Sequence, residues 1–219
     1  MKIIIVDKPF IAKKLVDALG SVLFEKRAGY YESSEYIITW PFHHLFKLDG
    51  LTAGVSVEEP CAFFNAVPMS DGLCPDCFKF SLRGFPCWET QFDVIKTLVN
   101  RPDAEAVIHA GELNPDGEIM IRIILHMAGC KLPVRRLWAM MPNQFIANGR
   151  LTNLLAEAKD LSEYDSLARI GYRNMYVNFV AGNDHPNVGL SAEEQVSMVC
   201  FAAGVEKTRY VESLKADNK

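Results

Sequence analysis

The sequence predicts an α/β fold, a Rossmann-like and mostly parallel sheet with helices on both faces, followed by a helical C-terminal segment. Three observations carry this reading. Residues 2–6, "KIIIV", form a β-branched run bounded by Asp7 and Pro9, as in a strand buried on both faces of a parallel sheet. Residues 104–110 form a second apolar run, again followed by a helical pattern. Beyond Pro142 the strand signals stop, so alternation of strand and helix is confined to residues 1–142.

Taken in order, Pro9 suits the first turn of a helix that shares Ile11, Leu15, Val16 and Leu19 on one face and ends at Gly20. Residues 35–40, "EYIITW", are the next strand, after a looser segment around Gly29. From about 51 to 88 Gly, Pro, Cys and Phe mix without a repeat, which predicts an irregular insertion. Helical spacing returns at Phe92, Ile95, Leu98 and Val99, ahead of the strand at 104–110. Residues 119–127 are an apolar helix stopped by Gly129, and 133–140, "PVRRLWAM", form a fourth strand. The segment 143–219 reads as helices at 151–161, at 162–181 opened by a Ser162-x-x-Asp165 pattern, and from the Ser191-x-x-Glu194 box to about Gly204, then a charged, fraying tail.

With 49% hydrophobic residues and a net charge of −4, the chain has the composition of an ordinary globular protein. That mild acidity excludes a broadly basic DNA clamp, because lysine and arginine supply most non-specific nucleic-acid affinity, so any DNA contact must be local. No apolar span is long enough to cross a bilayer and the N-terminus lacks a signal-peptide pattern, which makes the cytoplasm the expected compartment. Six cysteines in that setting read as free thiols or metal ligands before disulfides.

The stretch 109–120, "HAGELNPDGEIM", concentrates Glu112, Asp116 and Glu118 directly after a predicted strand. In an open parallel sheet ligands gather at the carboxyl ends of the strands, and Asp7 ends the first one. If the two strands are neighbours the acids converge, and a hard divalent ion would offset their repulsion. Alternatively, the acids only decorate the N-terminus of the following helix, where its dipole favours negative charge. Spacing leaves both readings open.

Several segments carry a resemblance to the type IA DNA topoisomerases of the topoisomerase III-like kind. "VDKPFIAKKLVDALG" resembles their opening "EKPS-x-A" helix, and "HAGELNPDGE" resembles the "DPDREGE" element that marks the Toprim fold. "EYIITWPFHHL" is similar to a strand reading roughly "VVTWCIGHL", and "ETQFDVIKTLV" to the helix before the acidic strand. "RLWAMM" with "YDSLARIGYRNMYVNFV" resembles the last Toprim strand and the start of the next family domain, so the likeness is collinear over roughly residues 1–182.

The resemblance implies a Toprim domain at 1–142 that organises Mg²⁺, or Mn²⁺ in its place, and a phosphate of DNA, single-stranded in this family, for strand cleavage and rejoining. It puts Asp7 on the family's general acid or base and Lys8 on the lysine beside the phosphate. Glu112, Asn114 and Asp116 fall on the metal-binding acids, and His44 on the histidine of the "GHL" segment. Arg136, in a cluster with Lys131 and Arg135, is a further nucleic-acid-binding candidate. The departures bear on reach and charge. Asp7 and Asp116 are each one methylene shorter than the family's glutamates, Glu112 is one longer than its aspartate, and Asn114 has lost a charge, so weaker metal binding is expected.

None of the seven tyrosines lies in the family's nucleophile pattern, Tyr-x-Arg-[Thr/Ser]-[Asp/Glu], so the chain alone is not expected to relax DNA; a tyrosine-containing domain, in cis or in trans, is the implied partner. Two other functions stand beside this one, a non-catalytic Toprim module that binds DNA or a partner and a stand-alone metal-dependent Toprim nuclease. Zinc at Cys61, Cys74, Cys77 and Cys87 is a weaker reading than ordinary thiols, since only one close ligand pair exists. His43 reads as a loop residue, and Phe10, Phe42, Phe46 and Trp138 as core aromatics rather than base-stacking platforms.

Overall fold

The computed structural model describes residues 1–138 and 155–182, apart from Ser21, His43 and Ser70. The expectations for His43, Cys200, the helix at 191–204 and the tail lie outside the described residues.

Four parallel strands make the centre of a seven-stranded sheet: β4 (Tyr36–Thr39), β1 (Lys2–Val6), β7 (Ala106–Ala110) and β8 (Val134–Arg136), in that spatial order. Antiparallel strands extend both sides, β2 (Glu25–Arg27) and β3 (Tyr30–Glu32) beyond β4, and β9 (Lys159–Asp160) beyond β8. The β2–β3 hairpin turns at Ala28-Gly29, and Gly29 has φ +85°, a conformation that suits glycine. This hairpin is what the sequence reads as a looser segment.

The period of two along the central strands sends alternate side chains to opposite faces. Ile4, Val6, Ile38 and Ile108 point to one layer, where they pack with Ala12, Leu15 and Leu19 of α1 (Pro9–Ala18) and its end. Ile3, Ile5, Ile37 and Val107 point to the other layer, against α3 (Pro86–Val99) and α4 (Pro115–Met127). Helices therefore cover both faces, as the continuous apolar runs require. Each of α1, α3 and α4 opens with proline at its start, where the missing N–H costs nothing.

The region expected to be irregular contains two regular elements among turns and loops. β5 (Phe46–Leu51) and β6 (Phe78–Leu82) pair antiparallel as a separate two-stranded sheet, and α2 (Pro60–Ala66) lies between them in sequence. Phe46, Leu48, Phe64 and Phe78 from this insertion enter the core on the α3 and α4 side. The 151–161 expectation also changes: residues 151–154 lie outside the description, and Lys159–Asp160 is an edge strand rather than helix. A 3-10 turn (Leu161–Tyr164) follows, capped by Asp160, whose carboxylate accepts from Ser162 N at 2.9 Å. Then α5 (Asp165–Val180) packs on α4 and α2, starting three residues later than the Ser162 pattern suggests. Phe10, expected in the core, is 54% exposed.

Candidate functional site

The strands β1 and β7 are neighbours in register, Val6 opposite Ala110. Their carboxyl ends therefore deliver Asp7 and Glu112 to one corner of the sheet. Lys8, the residue before α1, places its Nζ 2.6 Å from Glu112 Oε1 and 3.5 Å from Asp7 Oδ2. Asp7 is nearly buried, whereas Lys8 and Glu112 are about half exposed. The site thus opens to solvent over its cation and one acid.

Electrostatics separate the two carboxyl groups. Burial, the nearby Glu112 charge and a hydrogen bond with Glu112 raise the Asp7 pKa, against a backbone hydrogen bond and Lys8. Burial acts to raise Glu112 too, but the hydrogen bond and charge of Lys8 overcome it and hold Glu112 below the ordinary glutamate value. The hydrogen bond with Glu112 raises Lys8 in turn. Two neighbouring carboxyl groups whose pKa values are pushed in opposite directions are an arrangement suited to proton transfer.

Asn114 caps α4. Its Oδ1 accepts from Gly117 N at 2.7 Å, and its Nδ2 donates to Glu112 Oε2 at 3.1 Å. Because Gly117 N can only donate, the amide orientation is fixed. Gly117 is itself required: a Cβ there would sit 2.7 Å from Glu112 O and 2.8 Å from Glu112 Cβ. Asp116, in the first turn, is held by His44, Nε2 to Oδ2 2.8 Å, from the loop between β4 and β5. So the cap is an asparagine, and each of the acids beside it is held by a protein donor.

These positions do not make a ligand cage for a divalent ion. Such an ion needs several oxygens at one point, yet Asn114 turns its oxygen to the backbone and its N–H groups to Glu112, while Glu112 and Asp116 face Lys8 and His44. Among the described residues no three His, Cys, Asp or Glu side chains gather as a metal-binding group. That includes the insertion, where Cys61 and Cys87 are exposed, Cys77 is buried, and buried Cys74 shares a hydrogen bond with the Tyr172 hydroxyl at 3.1 Å.

Arg136 is corrected by its surroundings. It is fully buried, its Nε donates to Glu118 Oε2 at 2.8 Å, and its remaining donors reach the carbonyls of His109, Leu137 and Glu112. It cannot meet a phosphate; it holds the site's main chain instead. Glu118 is equally buried and also accepts from Arg122 Nε at 2.9 Å, while Arg122 reaches Asp165 on α5 at 2.8 Å. Burial acts to raise the Glu118 pKa, but the Arg136 and Arg122 guanidiniums hold it below the ordinary value. The sequence places Glu118 only as a helix-end charge and gives Arg122 no role; the signal is their i, i+4 spacing in "EIMIRIIL", where they are the only charges.

No family model matches the chain. DNA topoisomerase 3 of Staphylococcus aureus strain USA300 is 26% identical over 181 residues, 82% of this chain, and its counterpart from Staphylococcus saprophyticus is 28% identical over 178 residues, 77% of this chain. The chain spans 24% of the length of these curated relatives. Among the described residues no helix is long and apolar enough to cross a membrane. These similarities support a topoisomerase III-like relative of the type IA DNA topoisomerases, and the mostly parallel α/β sheet is consistent with a Toprim-like fold.

Proposed function

We propose that this chain is the Toprim part of a topoisomerase III-like system and that it holds a phosphodiester of single-stranded DNA at the corner formed by Asp7, Lys8 and Glu112. The observation that supports this reading is the half-exposed Lys8 ammonium, fixed by two carboxyl groups at the ends of adjacent parallel strands. An ammonium carries three donors. One meets Glu112 at 2.6 Å, Asp7 lies 3.5 Å away as an ion pair, and the half-exposed ammonium would turn a remaining donor to a phosphate oxygen. Asp7, raised in pKa, would give or take the proton of the leaving or attacking oxygen during cleavage and rejoining, with the tyrosine nucleophile supplied by another segment or polypeptide.

A second reading, a DNA-binding module that does not cleave, is favoured by one observation. Asn114 is committed to capping α4, so the acidic element has lost a metal ligand in both charge and orientation. Fluorescence anisotropy with a labelled single-stranded oligonucleotide tests the shared core of both readings. Saturable binding that Lys8→Met weakens is expected, and binding indifferent to Lys8→Met would overturn the assignment of the corner. Strand cleavage on adding a tyrosine-containing topoisomerase region then separates them: cleavage that requires Asp7 supports the first, and none supports the second.

A further inference from the structure

The acidic element is electrostatically closed by the protein's own groups. Glu112 faces Lys8 at 2.6 Å, Asp7 faces the same ammonium at 3.5 Å, and Asp116 faces His44 at 2.8 Å. Glu118 is locked between Arg122 and Arg136 at 2.9 and 2.8 Å. Asn114 adds an N–H toward Glu112, 3.1 Å from Oε2, where a metal-binding residue would present oxygen. A divalent ion entering between Asp7 and Glu112 would have to displace the Lys8 ammonium or lie against it, and like charges at such range repel strongly.

We infer that Lys8 is a built-in replacement for the divalent ion at this corner, so that DNA phosphate is engaged there without a metal. The DNA half of this inference rests on the proposed function; the cation half does not. Geometry supplies the reason on both sides. The ammonium stands on the residue directly after Asp7, so it is delivered by the same strand end that delivers the acid and needs no separate binding event. It also sets a positive charge between the two carboxyl groups in the absence of any ligand. The cap at Asn114 holds the arrangement in place, because freeing its oxygen for a metal would leave Gly117 N at the start of α4 without its acceptor.

Two variants reverse the arrangement. Lys8→Met removes the ammonium, and Lys8→Met with Asn114→Asp also restores a carboxylate, which still caps a helix well. Mn²⁺ binding is followed by the loss of the free-ion electron paramagnetic resonance signal on titrating native protein and both variants. In parallel, anisotropy of a labelled single-stranded oligonucleotide is read in EDTA and in Mg²⁺. The native chain should take up no stoichiometric Mn²⁺, and the double variant should bind one ion at least about tenfold more tightly than native protein does. Native oligonucleotide affinity should agree within about twofold between EDTA and Mg²⁺ at matched ionic strength. Stoichiometric Mn²⁺ uptake by the native chain that Glu112→Gln abolishes would overturn the inference, as would oligonucleotide binding lost in EDTA. Failure of the oligonucleotide to bind in either buffer would overturn the proposed function, and the Mn²⁺ titration of the native chain would still decide the cation replacement.

Discussion

Glu118 and Arg136 form an ion pair with no solvent exposure on either side chain, Nε to Oε2 2.8 Å, directly behind the turn that carries Glu112. With Arg122 on the other carboxylate oxygen, the pair ties β8, α4 and α5 together. Removing one partner strands the others. Glu118→Gln leaves two buried guanidiniums facing a neutral amide, and a loss of roughly 3–5 kcal/mol is expected, the usual cost of breaking a buried pair. Urea unfolding followed by circular dichroism measures it. The half-exposed Glu112→Gln serves as comparison and should shift stability by less than about 1 kcal/mol; similar losses for both would refute the central role of Glu118.

His109 predicts acid sensitivity. It is fully buried; its Nδ1 accepts from Gly111 N at 3.2 Å, and its Nε2 faces Glu118 O at 3.1 Å. The ring is therefore neutral, and burial, with the nearby Arg136 charge, pushes its pKa down to about 3 from the ordinary 6.5. Below 6.5 the unfolded chain takes a proton that the native state refuses. The His109 contribution to stability is thus fully present above 6.5 and is lost as the pH falls toward about 3, at up to about 1.4 kcal/mol per pH unit. Glu118, held below its ordinary value, adds a loss of the same sign at the acid end. Denaturation midpoints from pH 7 to pH 4 should fall less steeply in His109→Gln than in native protein; parallel curves would sink the assignment.

Gly171 is where α5 meets the start of α4. A Cβ there would lie 2.4 Å from Pro115 O and 2.6 Å from Ile119 Cγ2, so alanine must push the two helices apart. The backbone oxygen cannot rotate away. Gly171→Ala should destabilise by roughly 1–3 kcal/mol, the range of overpacked cores, whereas Gly84→Ala, with nothing within 4 Å, should be nearly silent. Thermal melts of the two variants make the comparison.

How far the sequence speaks depends on where the deciding interaction lies. The runs "KIIIV" and "AVIHA" are read directly because both faces of those strands are buried, and the acidic turn is placed because it follows one of them. The pairing of β5 with β6 was available as well: Phe46 and Leu48 alternate with Lys47, and Phe78 and Phe80 alternate with Lys79, at the period of a strand. It was hidden by the glycines and cysteines between them. Arg136 could not be placed from its neighbours, because a run of two arginines alternates across a strand and only the sheet decides which one turns inward. Nor could Lys8 be seen as the counter-charge of Glu112, since they are 104 residues apart and meet only through the β1–β7 register.

That meeting gives the prediction closest to function. If Lys8 contacts a DNA phosphate, its loss should weaken oligonucleotide binding and also lower the dependence of log K on log salt, by about 0.7 for one contact on a single strand. Loss of a residue that merely shapes the corner would weaken binding without changing that slope. Lys8→Met should therefore show both effects, while Lys47→Met, whose charge lies 3.8 Å from Asp49 on β5, should show neither. Glu112→Gln gives the opposing sign: with its carboxylate neutralised the Lys8 ammonium is freer to meet phosphate, and affinity should rise. Anisotropy titrations at four salt concentrations separate these outcomes, and a Glu112→Gln variant that binds more weakly than native protein would show that the acid, not the ammonium, is what the DNA requires.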